Sequence, residues 1–344
     1  MAKGVWSRLS EYVGKATGAG QSEQVRRRRL AMWLTVGLIV LAVVPFVAGN
    51  YWTRVLTGII MFVTLCEAWN LLTGYTGYFG VGTIVFFGTG AYVMAVLVVK
   101  LSVPIPLAIL AGGIFSALYA VLLGLPILRL SGYYFAIATI GINLATREIV
   151  LNIPQITGGG AGLTLPMMKV PLAVFYRYIY FGMLALMVLC ILSVYYIIRS
   201  RTGFALRAIG ADEHAARSMG INTTKYKVLA WAFSAFFFGL TGGLYAYWFT
   251  FIEPVAVFNP ADGLKIVAMT YLGGARTIPG PFLGAFLLEL IMELIWGQFL
   301  ELHLAVLGLI IIFVTIVMPD GLMSLIRGEM TLRGLLKSVK DRRL

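Results

Sequence analysis

The chain has 344 residues, enough for two or three soluble domains, yet 60% of them are apolar and only 12% are charged. No soluble fold of that size could hide so much hydrocarbon, because most of its surface must be wetted. The formal charge of +13 is not a nucleic-acid footprint either: of 27 Lys and Arg, 7 lie in residues 1–29, 6 in 199–227 and 6 in 319–344, clear of the apolar stretches. The composition is that of an integral membrane protein whose charge decorates its loops and meets lipid headgroups. Cys66 and Cys190 sit inside apolar runs, and His214 and His303 stand alone, which excludes a disulfide scaffold and a metal site.

Apolar runs of about the 20 residues that a membrane-crossing helix needs occur in order at 30–48, 54–72, 78–99, 104–128, 133–152, 177–198, 227–249, 263–278, 281–299 and 304–318. The first follows Arg26–Arg29 and reads as a retained signal anchor, since it is too long for a cleaved signal and lacks a small-residue cleavage site. The eighth and tenth are short enough to be broken or re-entrant. Ten crossings with the N-terminus inside leave 21 basic residues in inner segments and five in outer ones, namely Arg54, Lys100, Lys169, Arg177 and Lys265. The expected organisation is a basic cytoplasmic segment at 1–29, a transmembrane domain at 30–318 with a cytoplasmic loop at 199–227, and a basic cytoplasmic tail at 319–344.

Glycines gather around the third span, at Gly74, Gly77, Gly80, Gly82, Gly88 and Gly90, and again at Gly273, Gly274, Gly280 and Gly284 near the eighth and ninth. They fit close helix packing or backbone unwound to line a cavity. The third and eighth spans lie five apart, so two five-helix halves would be inverted repeats. The fold class is therefore an all-α polytopic membrane protein of about ten transmembrane helices in two inverted five-helix halves.

Catalytic machinery is missing from the sequence. Gly14-Lys15 lacks the rest of a phosphate-cradling loop, and no nucleophile elbow, paired-carboxylate site or metal cluster appears. Polar residues inside spans are site candidates by default. Thr139, Asn143 and Arg147 form an i, i+4, i+8 stripe on the fifth span, and Glu148 and Asn152 form another; interhelical hydrogen bonding with an outward-snorkelling Arg explains the first equally well. Glu67, Glu289 and Glu293 also fall in spans, where packing or helix-end solvation competes with function. Trp52, Trp248 and Trp296 near span ends read as interfacial anchors.

The loop at 199–227 is the most informative segment. Ala211 to Met219 reads as a short helix stopped by Gly220 in the left-handed cap position. Ala211, Ala215 and Met219 share one face, Glu213 and Arg217 pair on another, and Asn222-Thr223-Thr224 caps the next membrane helix. An ordinary solvated loop helix has the same local pattern.

At these residues the chain resembles the coupling loop of ABC importer permeases, whose Glu-Ala-Ala and downstream glycine dock in a cleft of the ATPase. Asp212, Glu213, Ala215, Ala216 and Gly220 occupy that motif, with His214 inserted before the alanines. The form is similar to LivM-type permeases for branched-chain amino acids. The likeness extends through Asn70–Gly77, Phe87–Tyr92, Tyr134–Ile137, the loop Thr157–Gly162, Leu272–Gly274, Gly280-Pro281, Gly284-Ala285 and Met318–Leu322. Three departures stand out. Tyr78–Thr83 replaces the Gln-Leu-Ser-Leu-Gly-His common in the family, Leu144 stands where a glutamate is frequent, and Arg276 stands where a glycine is frequent.

The resemblance implies a permease subunit that pairs with a related permease, two cytoplasmic ATPase subunits and a periplasmic or extracellular solute-binding protein. It implies an inner or plasma membrane location with both termini cytoplasmic, no cofactor in this chain, and ATP bound by the partner ATPases. The substrate pathway is expected to involve Tyr75, Gly77, Gly80, Gly82, Gly88, Thr139, Asn143 and Arg147. An ion-coupled secondary transporter of a small solute is the alternative, and a passive channel a third class.

Overall fold

The computed structural model describes residues 37, 40–47, 49–130, 132–296, 308 and 321–323. The basic N-terminal segment, the tenth span and nearly all of the basic tail lie outside the described residues, as does most of the first span. Contacts divide the chain into two units, 1–53 and 54–344. In the first, residues 40–47 are helical, Tyr51 and Trp52 pack edge to face at 5.6 Å, and Thr53 Oγ1 donates to the Gly49 carbonyl at 3.3 Å.

The longer helices are α1 (Asn50–Thr76), α2 (Ile84–Leu101), α3 (Ile105–Ile127), α4 (Tyr133–Leu151), α6 (Leu172–Arg199) and α9 (Thr223–Phe249), with the single turn α5 (Pro154–Thr157) between α4 and α6. Among the described residues, six helical stretches are long and apolar enough to cross a membrane: α1, α3, α4, α6, α9 and α2 together with the 3₁₀ turn Val81–Thr83 that precedes it. They match the second to seventh runs of the sequence to within a few residues. The loop at 199–227 holds two helices, α7 (Arg201–Ala211) and α8 (Glu213–Ser218). Beyond α9 come the single turn α10 (Pro254–Val257), α11 (Pro260–Gly273) and α12 (Pro279–Trp296).

Small residues decide the packing. On α3, Ala108, Gly112, Ser116, Ala120 and Gly124 recur every fourth position and are all buried. The opposite face carries large exposed apolar groups, among them Leu118 at 64% and Leu122 at 67%. Such an outward-facing apolar surface is stable only when lipid or another apolar protein surface covers it. The small stripe lets α2, α3 and α9 approach backbone to backbone: a side chain on Gly90 would strike Gly239 of α9, and one on Gly112 would come 2.7 Å from the Gly90 carbonyl. At the centre of this contact Ser116 Oγ donates to the Phe86 carbonyl at 3.0 Å and lies 3.1 Å from Thr89 Oγ1.

The structure refines three expectations. The third span is not helical from residue 78, because Gly77 to Gly80 run as non-helical chain, with Gly77 at φ +77°, before the 3₁₀ turn. The eighth is a helix of only 14 residues, about 21 Å at 1.5 Å per residue, stopped by Gly274 at φ +116°. Among the described residues there is also one scrap of sheet: β1 (Leu163–Thr164) pairs antiparallel with β2 (Phe251–Ile252), in the register Leu163 to Ile252.

Candidate coupling site

Sequence chemistry builds the cytoplasmic-loop helices from their caps. The Ser200 hydroxyl accepts from the Thr202 amide at 3.2 Å and starts α7. Asp212, extended at φ −159°, interrupts the chain and caps α8, accepting from the His214 and Ala215 amides at 2.8 and 3.0 Å. Those two amides hold its carboxyl below the usual carboxylate range. The expected helix from Ala211 to Met219 is thus corrected: Ala211 ends α7, and α8 begins only at Glu213. Gly220 does stop it, at φ +84° with open space around it, so the backbone conformation alone demands glycine there. The Asn222 side chain then accepts from the Lys225 amide at 3.0 Å and opens α9.

Beneath α8 lies a network that the loop pattern did not disclose. Lys227, on the first turns of α9, has a side chain only 2% exposed. Its ammonium donates to Glu213 Oε1 at 2.8 Å, to Tyr78 Oη at 2.7 Å and to the Leu128 carbonyl at 2.9 Å. Three donors meet three acceptors, which is the condition for keeping a lysine out of water. The Tyr78 hydroxyl donates in turn to Glu213 Oε2 at 2.6 Å. Arg217 donates to Glu213 Oε1 at 2.8 Å, the expected i, i+4 pair, and to Thr223 Oγ1 at 3.2 Å. Burial by itself would raise the Glu213 carboxyl. Hydrogen bonds from Lys227, Tyr78 and Thr223, together with the Lys227 charge, outweigh it and hold the group at about 2.

This geometry sorts the motif residues. Glu213 points inward and ties α8 to α9 and to the chain entering α2, and Lys227 carries the link on to the end of α3. Ala216 is buried at 1% and seats the helix. Ala211, Asp212, Ala215, Met219 and Gly220 face outward, with Met219 72% exposed. The outward face of α8 is thus open, while its inward face is tied through Glu213 and Lys227 to Tyr78 and the Leu128 carbonyl.

The pathway candidates separate into three places. Gly80, Gly82, Gly88, Thr139 and Asn143 come together where the unwound chain before α2 meets α4. The Gly80 carbonyl accepts from Trp69 Nε1 at 2.7 Å, and the Gly82 amide donates to Thr139 Oγ1 at 3.2 Å. A side chain on Gly82 would strike the Thr139 carbonyl, and one on Gly88 would strike the Phe258 ring. Asn143, fully buried, donates to the Phe258 carbonyl at 2.8 Å, while its Oδ1 has no hydrogen-bond partner. Tyr75 lies elsewhere, in a cleft of about 440 Å³ with Arg207, Gly210, Ala211, Arg276 and Pro279. Gly77 forms the turn that follows α1. Arg147 is apart from both groups and pairs with the exposed Glu148 at 3.0 Å.

Arg276 explains its own departure from the family. Its φ of +66° is a conformation that glycine adopts freely, and the guanidinium compensates by donating from Nε to the Gly74 carbonyl at 3.0 Å. Its amide donates to Asn70 Oδ1 at 3.0 Å, and Asn70 Nδ2 donates to the Thr277 carbonyl at 2.9 Å, so the turn after α11 is stitched to α1.

The family described as branched-chain amino acid transport system / permease component matches residues 51–315. The high-affinity branched-chain amino acid transport system permease protein LivM of Salmonella typhimurium is 29% identical over 325 residues, covering 87% of this chain and 76% of that protein. LivM of Escherichia coli K12 matches with the same identity and coverage. The high-affinity branched-chain amino acid transport system permease protein LivH of Escherichia coli K12 is 32% identical over 127 residues, covering 36% of this chain and 40% of that protein. No solved structure matches. With its multi-pass apolar helices and three-quarters of its length matched, the chain belongs to the branched-chain amino acid transport permease family.

Proposed function

We propose that this chain is the permease subunit of a binding-protein-dependent ABC importer for branched-chain amino acids, and that it converts nucleotide-driven closure of partner ATPases into alternating access. The observation that carries this reading is α8: a small-residue face turned outward, held on a buried Glu213–Lys227–Tyr78 network. An ion-coupled carrier has no use for such a face. In this reading Asp212, Ala215 and Gly220 meet the ATPase, Glu213 and Ala216 hold the helix that does so, and ATP binds only to the partners. A LivH-like permease completes the pathway, a periplasmic or extracellular binding protein delivers the solute, and both termini and residues 199–227 face the cytoplasm. Ten crossings in two inverted halves remain the architecture we favour, with α11 as the broken member of the second half.

The test is reconstitution of the complete complex in vesicles with ATP enclosed and proton and sodium gradients collapsed. Leucine uptake that continues, and that stops with Ala215→Arg while membrane abundance is unchanged, supports the importer. Accumulation by this chain alone on an imposed ion gradient would refute it. One observation favours that second reading: the Glu67 carboxyl is 1% exposed, and neither oxygen has a hydrogen-bond partner. A carrier would load its ion there, so Glu67→Gln should abolish gradient-driven uptake under that reading and leave ATP-driven uptake intact under the first.

A further inference from the structure

Helices α11 and α12 form a hairpin around the turn that Arg276 stitches to α1. They touch through glycine, since side chains on Gly273 or Gly284 would enter the facing backbone. About 15 Å along α12 from its start at Pro279, the Glu289 carboxylate meets the Lys265 ammonium of α11 at 2.5 Å. Both side chains are largely withdrawn from the surface, at 17% and 16% exposure. The Lys265 ammonium also lies 4.1 Å from the centroid of the Phe62 ring on α1. Beside Phe62 one helical turn away is Gly58, where an added side chain would sit 3.9 Å from Glu289 Oε1 and 4.0 Å from the Trp248 ring of α9. Asp262, three residues before Lys265, stands within electrostatic reach of both members of the pair.

A packing role does not account for this cluster. An ion pair held among apolar helices is often no more stable than a well-packed hydrophobic pair of the same volume, and a charged pair withdrawn among the helices of a membrane protein is a functional-site candidate by default. The charges are also unbalanced, two carboxylates against one ammonium, and the cluster is walled by aromatic rings on two other helices. A small amino acid is the chemical complement: an ammonium and a carboxylate on one carbon, and an apolar side chain. Its carboxylate can exchange for Glu289 on Lys265, its ammonium can be taken by Glu289 and Asp262, and its side chain can lie on Phe62 and Trp248. A zwitterion adds no net charge, so exchange leaves the charge balance of the cluster unchanged while each end of the solute gains an opposite charge as it leaves water.

Resting on the importer reading, we propose that the Lys265–Glu289 pair is a transit site for zwitterionic amino acids within this subunit. The unoccupied pair closes on itself, and the passing solute opens it. This goes beyond the pathway residues taken from the family motifs, none of which belongs to the cluster.

The experiment uses the full reconstituted complex with the binding protein loaded with leucine. The double variant Lys265→Met with Glu289→Met removes both charges at similar volume, and Lys265→Arg keeps the cation. Three quantities are read: membrane abundance, ATPase stimulation by the loaded binding protein, and leucine uptake. The double variant should accumulate normally and keep ATPase stimulation within twofold, while its uptake falls at least tenfold. Lys265→Arg should keep uptake within threefold of the parent. Uptake by the double variant within twofold of the parent overturns the proposal. So does failure of the double variant to accumulate, which would make the pair a folding element. If the parent complex itself shows no ATP-driven uptake, the importer reading has failed and this proposal fails with it.

Discussion

Replacing Glu213 by alanine tests whether α8 is locked to the membrane domain or merely rests on it. The change strands the Lys227 ammonium at 2% exposure with only Tyr78 and the Leu128 carbonyl for company. Removing one partner of a buried ion pair costs about 3–5 kcal/mol. Glu213 retains some solvent contact, at 18% exposure, and two of the three lysine donors stay satisfied, which places the expected loss near the lower bound, about 3 kcal/mol. For a chain of this size, roughly 2 °C per kcal/mol translates that into a thermal midpoint about 6 °C lower. Combining Glu213→Leu with Lys227→Met should recover most of the loss, because no unpaired charge is left inside. The assay is thermal unfolding of the purified permease in detergent for the parent, both single variants and the double, read as a double-mutant cycle. A midpoint within 1 °C of the parent for Glu213→Ala, or strictly additive single changes, would show the network to be a surface ion pair and refute the coupling path drawn through it.

Three further outcomes follow from the same geometry. Because the Glu213 carboxyl is held at about 2, below its ordinary 4.5, its contribution is complete above pH 4.5 and is lost as the pH falls toward 2; the midpoint advantage of the parent over Glu213→Gln should stay constant from pH 8 to 5 and shrink below that, and a change between pH 8 and 6 would contradict it. Arg276→Gly relieves a left-handed residue, worth about 1 kcal/mol, and loses the hydrogen bond to Gly74, worth about 1 kcal/mol, so stability measured by thermal unfolding should move by less than about 1 kcal/mol. Gly82→Ala should sharply reduce membrane abundance by driving a methyl group into the Thr139 carbonyl, whereas Gly77→Ala, which meets open space, should cost only the roughly 1–2 kcal/mol of its positive φ; equal abundance of the two variants, read by immunoblot of membranes, would mean that the chain before α2 is not packed as described.

The network changes what the motif residues mean for transport. Glu213 is the most recognisable member of the coupling motif, and its carboxylate is directed into the protein rather than toward a partner. The outward face is left to Ala215, Met219 and the turn at Gly220. Under the proposed coupling role, force applied to that face would pass to Tyr78 through its hydrogen bond to Glu213, and Tyr78 belongs to the unwound chain leading into α2. That chain also holds Gly80 and Gly82 against Trp69 and Thr139, so under that role a displaced α8 would shift the contact between α1, α2 and α4.

The sequence by itself determined everything governed by neighbours a few residues apart. Apolar runs of helical length marked six membrane helices to within a few residues, because a helix in lipid must satisfy its own backbone and clothe itself in hydrocarbon over a fixed length. The Asn222 cap, the left-handed Gly220 and the Glu213–Arg217 pair are likewise local, each set within about one helical turn, and motif order named the family. Tertiary structure alone decided the rest. Lys227 reads as one more basic residue at a loop end until it is found 149 positions from Tyr78 and 99 from Leu128 at hydrogen-bond distance. Lys265 and Glu289 read as a loop charge and a helix-end charge until the glycine contacts of α11 and α12 bring them together. Composition counts charges and periodicity assigns them to faces, but the burial that makes a charge need a partner arises only when distant helices close around it, and that depends on backbone distances no local pattern encodes.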